Sequence, residues 1–208
     1  MLNSQLRPNG VVDADLLAAM AELPRERFLP ERLRGIAYVD EDVPLGSGRV
    51  LMQPLVLARL IMGAAIGRED SVLDIGSGCG YSTALLARLA RRATGLESAH
   101  ALATEASRRL RELAINNAAI VEGPLAAGHA AAAPYDVILI EGSVAEVPRA
   151  IVDQLAKGGR LTTVLRAGQH VGHITLFEKL AGAVSSRSLE DAVTAPLAEF
   201  ARPAQFVF

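Results

Sequence analysis

The stretch Ser71-Val-Leu-Asp-Ile-Gly-Ser-Gly-Cys-Gly-Tyr81 decides the fold. Its first five residues are a short, mostly apolar run that predicts a buried strand, and glycines 76, 78 and 80 then predict a tight turn. From Tyr81 to about Arg92 the leucines at 85, 86 and 89 recur at helical spacing. The same strand-to-helix alternation continues downstream. Ala93–Glu97 predicts a second strand ending in an acid, and Ala99–Ala114 an amphipathic helix with Leu102, Ala106, Leu110 and Leu113 inward. Ile120–Val121 mark a third strand; the near-continuously apolar Tyr135–Ile140 is a fourth, covered on both faces. A helix at about 147–156 ends near Gly158-Gly159. Arg160–Leu165 gives a fifth strand, and Ile174–Phe177 and Gln205–Phe208 the last two. The pattern predicts an α/β protein with a Rossmann-like, doubly wound, mostly parallel seven-stranded sheet.

Upstream of the glycine turn, Pro54 suits the first position of a helix running to about Ala65. Residues 35–53 hold no sustained period and read as loop or short strand. Residues 13–34 read as helical, with Asp13 as N-cap and Pro24 and Pro30 as punctuation. The 208 residues are expected to form a single domain, with N-terminal helices and a functional loop over 1–53 and the Rossmann-like core over 54–208.

Composition narrows the function classes. Half the residues are hydrophobic, which excludes a disordered chain, and the formal net charge of −2 argues against nucleic acid or an acidic membrane as partner. Cys79 is the lone cysteine, so no intrachain disulfide forms, and it reads as a packing residue in the turn. His170 and His173 lack a paired acid at metal-ligand spacing, so no metal site is expected. The opening residues lack the pattern of a secretory signal. The apolar stretch Leu55–Gly67 carries Arg59 and is too short to span a bilayer. A cytoplasmic location is the expectation.

The glycine turn lies where ligands meet the carboxyl edge of such a sheet. Dinucleotide sites usually read G-x-G-x-x-G, whereas here the third position is Tyr81 and Asp74 precedes the first glycine. A carboxylate there repels a pyrophosphate and suits a cationic amino-acid ligand. Glu97, closing the second strand, is placed to accept hydrogen bonds from a ribose diol. An ammonium group and a ribose without phosphate together favour S-adenosylmethionine, with S-adenosylhomocysteine as its product. The plainer reading is a glycine-rich turn with no ligand.

Most of the chain also resembles the protein-L-isoaspartate O-methyltransferases. The matching residues are Gln5-Leu-Arg7, Leu16–Met20, Pro24-Arg-Glu-Arg-Phe28, Ala37-Tyr-Val-Asp40, Pro44-Leu-Gly-Ser-Gly48 and Gln53-Pro54. The glycine turn with Glu97, Pro134-Tyr-Asp136 and Gln154-Leu-Ala-Lys-Gly-Gly-Arg-Leu161 extend the match. The resemblance implies a class I methyltransferase fold with an altered order of the last strands. It also implies methyl esterification of L-isoaspartyl carboxylates in damaged proteins, so that the partner is a peptide or protein acceptor. It implies Asp74, Gly76, Ser77, Gly78 and Gly80 around the aminocarboxypropyl end of the cofactor and Glu97 on its ribose, with Ser98 also at the cofactor; Gly123 lies at the adenine position, where the backbone amide of Leu125 is available to a ring nitrogen.

Departures from that family pattern concern the acceptor. The family reads G-Q-T-I-S-Q-P where this chain has Gly48-Arg-Val-Leu-Met-Gln-Pro54, so Met52 stands at the serine position and lacks its donor. The catalytic residue is therefore left unassigned. Pro124 replaces the aspartate that meets the adenine amino group, and Glu141-Gly-Ser143 replaces small residues after the fourth strand. Arg49 is a candidate to bind an acceptor carboxylate, its plainer reading being a solvent-exposed loop arginine. Asp40 and Asp42 are further candidates for the acceptor cleft, against ordinary loop solvation or helix-end capping. Two alternatives stay open: a methyltransferase for another carboxylate or a small molecule, and a non-catalytic cofactor-binding protein of the same fold.

Overall fold

A computed structural model describes residues 1–168, 170–180 and 182–201. Helix α1 (Ala14–Glu22) starts where Asp13 accepts a hydrogen bond from the Leu16 amide at 2.9 Å, and it stops before Pro24. The single helical segment expected over 13–34 is thus broken. Each proline opens a separate 3-10 turn, Arg25–Phe28 and Glu31–Ile36, because proline removes the amide that would continue the helix. The irregular stretch that follows folds into a hairpin of β1 (Val43–Gly46) and β2 (Arg49–Leu51). Helix α2 (Pro54–Ala64) begins at the expected proline and ends at Ala65 in the left-handed conformation.

The core then alternates through β3 (Ser71–Ile75), α3 (Tyr81–Leu89), β4 (Arg92–Glu97), α4 (His100–Glu112), β5 (Ala118–Glu122) and β6 (Tyr135–Val144). It closes with α5 (Arg149–Val152), β7 (Leu155–Leu165), β8 (Gly172–Leu180) and β9 (Ala183–Ala192). Sheet order is β5-β4-β3-β6-β7-β8-β9; the pairings from β5 to β7 are parallel, and β8 and β9 run antiparallel. The sequence of strands reverses direction between β3 and β6, the place where sheets of this kind bind ligands at their carboxyl ends.

Several boundaries differ from the expectation; β6, for one, runs on from Ile140 to Val144. Helix α3 ends at Leu89, three residues early, because Arg92 already pairs with Ser71 in the sheet. Helix α5 is a short turn, and β7 starts at Leu155 and runs through Gly158-Gly159. The seventh strand is β9, whose polar, mostly exposed residues carry no apolar alternation for a sequence reading to find. The strand expected at Gln205–Phe208 lies outside the described residues.

Alternation along the buried strands fills two separate cores. Val72, Val137, Leu139 and Val164 join the apolar residues of α1, α2 and α3 on one face. Leu73, Ile75, Ile138, Ile140 and Leu161 face the other way, against Leu125, Ile151, Leu197 and Phe200. Among the described residues, no helix is long and apolar enough to cross a membrane.

Candidate functional site

Asp74, Gly76, Ser77, Gly78, Glu97 and Ser98 come together where β3 and β4 end. The turn is built by backbone bonds: the amides of Gly76 and Ser77 both donate to the Leu96 carbonyl, at 2.9 and 3.2 Å. At Gly78 (φ +51°) an added Cβ would lie 3.1 Å from Leu45 of the hairpin, so the missing side chain lets β1 lie close over the turn. Gly80 (φ +84°) serves another purpose. A Cβ there would stand 2.9 Å from the Cβ of Ala106, so this glycine seats α3 against α4.

Asp74 is fully buried. Its Oδ2 accepts bonds from Ser82 Oγ at 2.7 Å and Thr83 Oγ1 at 2.6 Å, while its Oδ1 and the nearby Ser77 Oγ are buried without a partner. Burial pushes the Asp74 carboxyl up to about 6, against the opposing effect of the two hydroxyls, and the negative charge of Glu97 adds to the rise. Ser82 Oγ also lies 2.7 Å from Glu141 Oε2. Burial first, and the charge of Asp74 second, hold Glu141 well above the ordinary carboxylate range. One hydroxyl proton cannot serve two carboxylates. Ser82 Oγ therefore ties the two acids into one hydrogen-bonded pair.

Glu97 is likewise fully buried, and its carboxylate is saturated. Oε1 accepts the amides of Ser98 and Ala99 at 2.8 and 2.9 Å and Arg49 Nε at 3.1 Å; Oε2 accepts the Gly78 amide at 2.9 Å and Arg49 Nε at 3.2 Å. Arg49 is therefore not the solvent-exposed loop residue of the plainer expectation: it is 4% exposed and inserted beneath the hairpin. Its two terminal nitrogens bind Glu199, and Nη2 also donates to Ser98 Oγ at 2.8 Å. Burial disfavours the guanidinium charge, but Glu199 and Glu97 outweigh it and hold Arg49 above the usual arginine value. Burial alone would raise Glu199; its bonds from Arg49 and Ser98 bring it below the ordinary carboxylate range instead.

The remaining candidates separate. Gly123 donates its amide to the Glu97 carbonyl at 3.1 Å, beside the site. Leu125 is fully buried and shares an apolar cluster with Leu197 and Phe200; its turn, Leu125–Ala127, packs on the turn Ala198–Phe200. Met52 is 1% exposed and sits in the core, its carbonyl accepting a bond from Arg25 Nη2. Asp40 is exposed, apart from this cluster. Burial raises the Cys79 thiol to about 11, in keeping with packing and not with nucleophilic chemistry. Among the described residues no group of three or more His, Cys, Asp or Glu is arranged to hold a metal ion, and His173 pairs with Asp191 at 2.7 Å.

Two residues escaped the sequence reading. Arg25, within the quoted Pro24–Phe28 motif, is fully buried, donates to the Ala37 carbonyl at 2.6 Å and stacks 4.9 Å from the Tyr81 ring centre. Nothing in that motif signals that its charge lies inside. Glu199 had no signal at all, since it reaches Arg49 from 150 positions away.

Comparison with known proteins agrees with this geometry. The family described as "Protein-L-isoaspartate(D-aspartate) O-methyltransferase (PCMT)" matches residues 1–201. "Protein-L-isoaspartate O-methyltransferase 1" of Rhodopseudomonas palustris (strain HaA2) is 39% identical over 169 residues, 81% of this chain and 69% of that protein. "Protein-L-isoaspartate O-methyltransferase" of Burkholderia mallei (strain SAVP1) is 41% identical over 192 residues, covering 91% of this chain but 59% of the relative. The chain thus spans between half and three-quarters of the length of these curated relatives. A solved protein-L-isoaspartate O-methyltransferase superposes with a TM-score of 0.82 at 26% identity, over 93% of this chain and 63% of the other. A putative protein-L-isoaspartate O-methyltransferase from Plasmodium falciparum, solved in complex with S-adenosyl-L-homocysteine, shares the fold with a TM-score of 0.78 at 23% identity, over 93% of this chain and 95% of the other. Strand order, the acid-led glycine turn and a match running almost end to end all lead to one assignment: the chain belongs to the protein-L-isoaspartate(D-aspartate) O-methyltransferase family.

Proposed function

We propose that this chain is an S-adenosylmethionine-dependent methyltransferase that esterifies the free carboxylate of isoaspartyl residues in peptides and damaged proteins. The observation that carries the reading is the pair of buried atoms without partners at the glycine turn, Asp74 Oδ1 and Ser77 Oγ. A buried carboxylate oxygen left unpaired is costly, and an ammonium group supplies both the missing donor and the opposite charge. The residues fit the amino-acid end of the cofactor in this way, with Asp74, Gly76, Ser77 and Gly78 around it. Glu97 and Ser98 would meet the ribose, and Gly123 and Leu125 the adenine. Gly80 contributes by seating α3.

The cofactor supplies a methyl group already activated by its sulfonium. A carboxylate acceptor is ionised at neutral pH and calls for no general base, so what this chain adds is alignment, worth about 7–11 kcal/mol in favourable cases. Loss of the serine hydroxyl at Met52 removes a donor worth about 1.5–3 kcal/mol to a charged acceptor, which slows the reaction without abolishing it. We place the reaction in the cytoplasm, in keeping with a free, buried Cys79.

Met52 also supports a second reading, a different carboxylate or a small molecule as acceptor, because a buried thioether offers an acceptor carboxylate no hydrogen bond. Radiolabelled methyl transfer to matched isoaspartyl and aspartyl peptides, with S-adenosylhomocysteine binding measured by calorimetry, separates the two. Base-labile label on the isoaspartyl peptide alone is the expected result. Binding without transfer to either peptide would overturn the isoaspartyl assignment.

A further inference from the structure

We propose that Arg49 is a built-in competitor for the cofactor's ribose: in the free protein its guanidinium occupies the diol position on Glu97, and Glu199 holds it there until the cofactor displaces it. The inference rests on the cofactor reading above. A ribose diol binds a carboxylate by donating a hydroxyl to a free lone pair. Glu97 offers its two oxygens about four lone-pair directions. Three backbone amides take three of them, Ser98 and Ala99 on Oε1 and Gly78 on Oε2, and Arg49 Nε, which reaches both oxygens, covers the one that remains on Oε2. Those amides belong to the turn and the end of β4 and cannot leave. The guanidinium is the donor that can. With Glu97 fully buried and Arg49 nearly so, a diol has no free acceptor on that carboxylate until Arg49 moves.

The grip on Arg49 comes from the far end of the chain. Glu199 binds both terminal nitrogens, and Ser98 Oγ, which accepts from Arg49, donates in turn to Glu199 Oε1 at 2.8 Å. The Glu199 side chain is one-third exposed, so Arg49 can swing toward solvent with its partner instead of losing it. The same segment buries Leu197 and Phe200 against Leu125, at the position read for the adenine. Release of Arg49 and clearing of the adenine end therefore involve one piece of chain.

Competition of this kind lowers apparent affinity by the fraction of molecules that are open, so a latch closed nine times in ten costs about tenfold. Calorimetry with S-adenosylhomocysteine on the full chain tests it. Arg49→Gln leaves Glu97 held by its three amides and is expected to bind at least about tenfold tighter than wild type. Glu199→Ala, at a partly exposed position, is expected to bind more tightly than wild type by a smaller factor. Ligand-free Arg49→Gln is also expected to melt below wild type, with the gap narrowing at saturating ligand. Equal or weaker binding by Arg49→Gln overturns the proposal; if that variant fails to fold, unchanged affinity in Glu199→Ala does so. Absence of binding by wild type and both variants at millimolar ligand overturns the cofactor reading itself, a result distinct from equal affinities.

Discussion

Asp74 shows how one residue carries both the promise of a site and a cost to the fold. Burial raises its carboxyl from 3.8 to about 6. Between those values the native protein holds a proton that the unfolded chain has already released. Its contribution to stability is therefore present at low pH and is lost as pH rises through that window. The shift corresponds to an effect on the order of 2–3 kcal/mol. Asp74→Asn keeps an acceptor for Ser82 and Thr83 but removes the titration. Chemical denaturation at pH 4, 5 and 6 is expected to show wild-type stability declining relative to the variant. Parallel curves for the two proteins would show that Asp74 titrates as an ordinary exposed acid.

Among the elements, the turn between β3 and α3 separates two uses of glycine. Gly80 and Gly48 both have φ in the left-handed region, at +84° and +71°, so alanine is strained at either by about 1–2 kcal/mol. Their surroundings differ. Space around Gly48 is open, whereas a Cβ at Gly80 meets Ala106 at 2.9 Å. Overpacking adds about 1–3 kcal/mol, so Gly80→Ala is expected to lose about 2–5 kcal/mol in urea denaturation and Gly48→Ala about 1–2 kcal/mol. Equal losses would show that backbone strain alone accounts for Gly80. Element boundaries follow the same logic: α1 ends where Pro24 removes an amide, which a sequence declares, while α3 ends where β4 claims Arg92, which it does not.

At the scale of the whole molecule, the site is closed by contacts between the two ends of the chain. Asp42, just before the hairpin, accepts the Gln53 amide at 2.8 Å, Thr194 Oγ1 at 2.7 Å and the Ala195 amide at 2.9 Å. Ser143 at the end of β6 holds the same C-terminal segment, through the carbonyl of Ala195 and the amide of Leu197. Asp42→Ala leaves three donors without an acceptor and is expected to cost about 1–3 kcal/mol, with faster amide exchange over residues 194–200 than in β3 and β6. Uniformly faster exchange across the molecule would instead mean that Asp42 supports the global fold and not this segment.

What the sequence determined by itself was the part governed by neighbours in the chain. Short apolar runs set β3, β4 and β6, the leucine spacing set α3, and the glycines with Asp74 set the turn, because side-chain direction and backbone freedom are local properties. The tertiary structure alone decided which charges meet. Arg49 reaches Glu97 across 48 positions and Glu199 across 150, and the exposed β9 exists only because β8 offers it an edge. Burial and pairing of charges depend on where the folded backbone brings distant segments together, and no local pattern of residues encodes that distance.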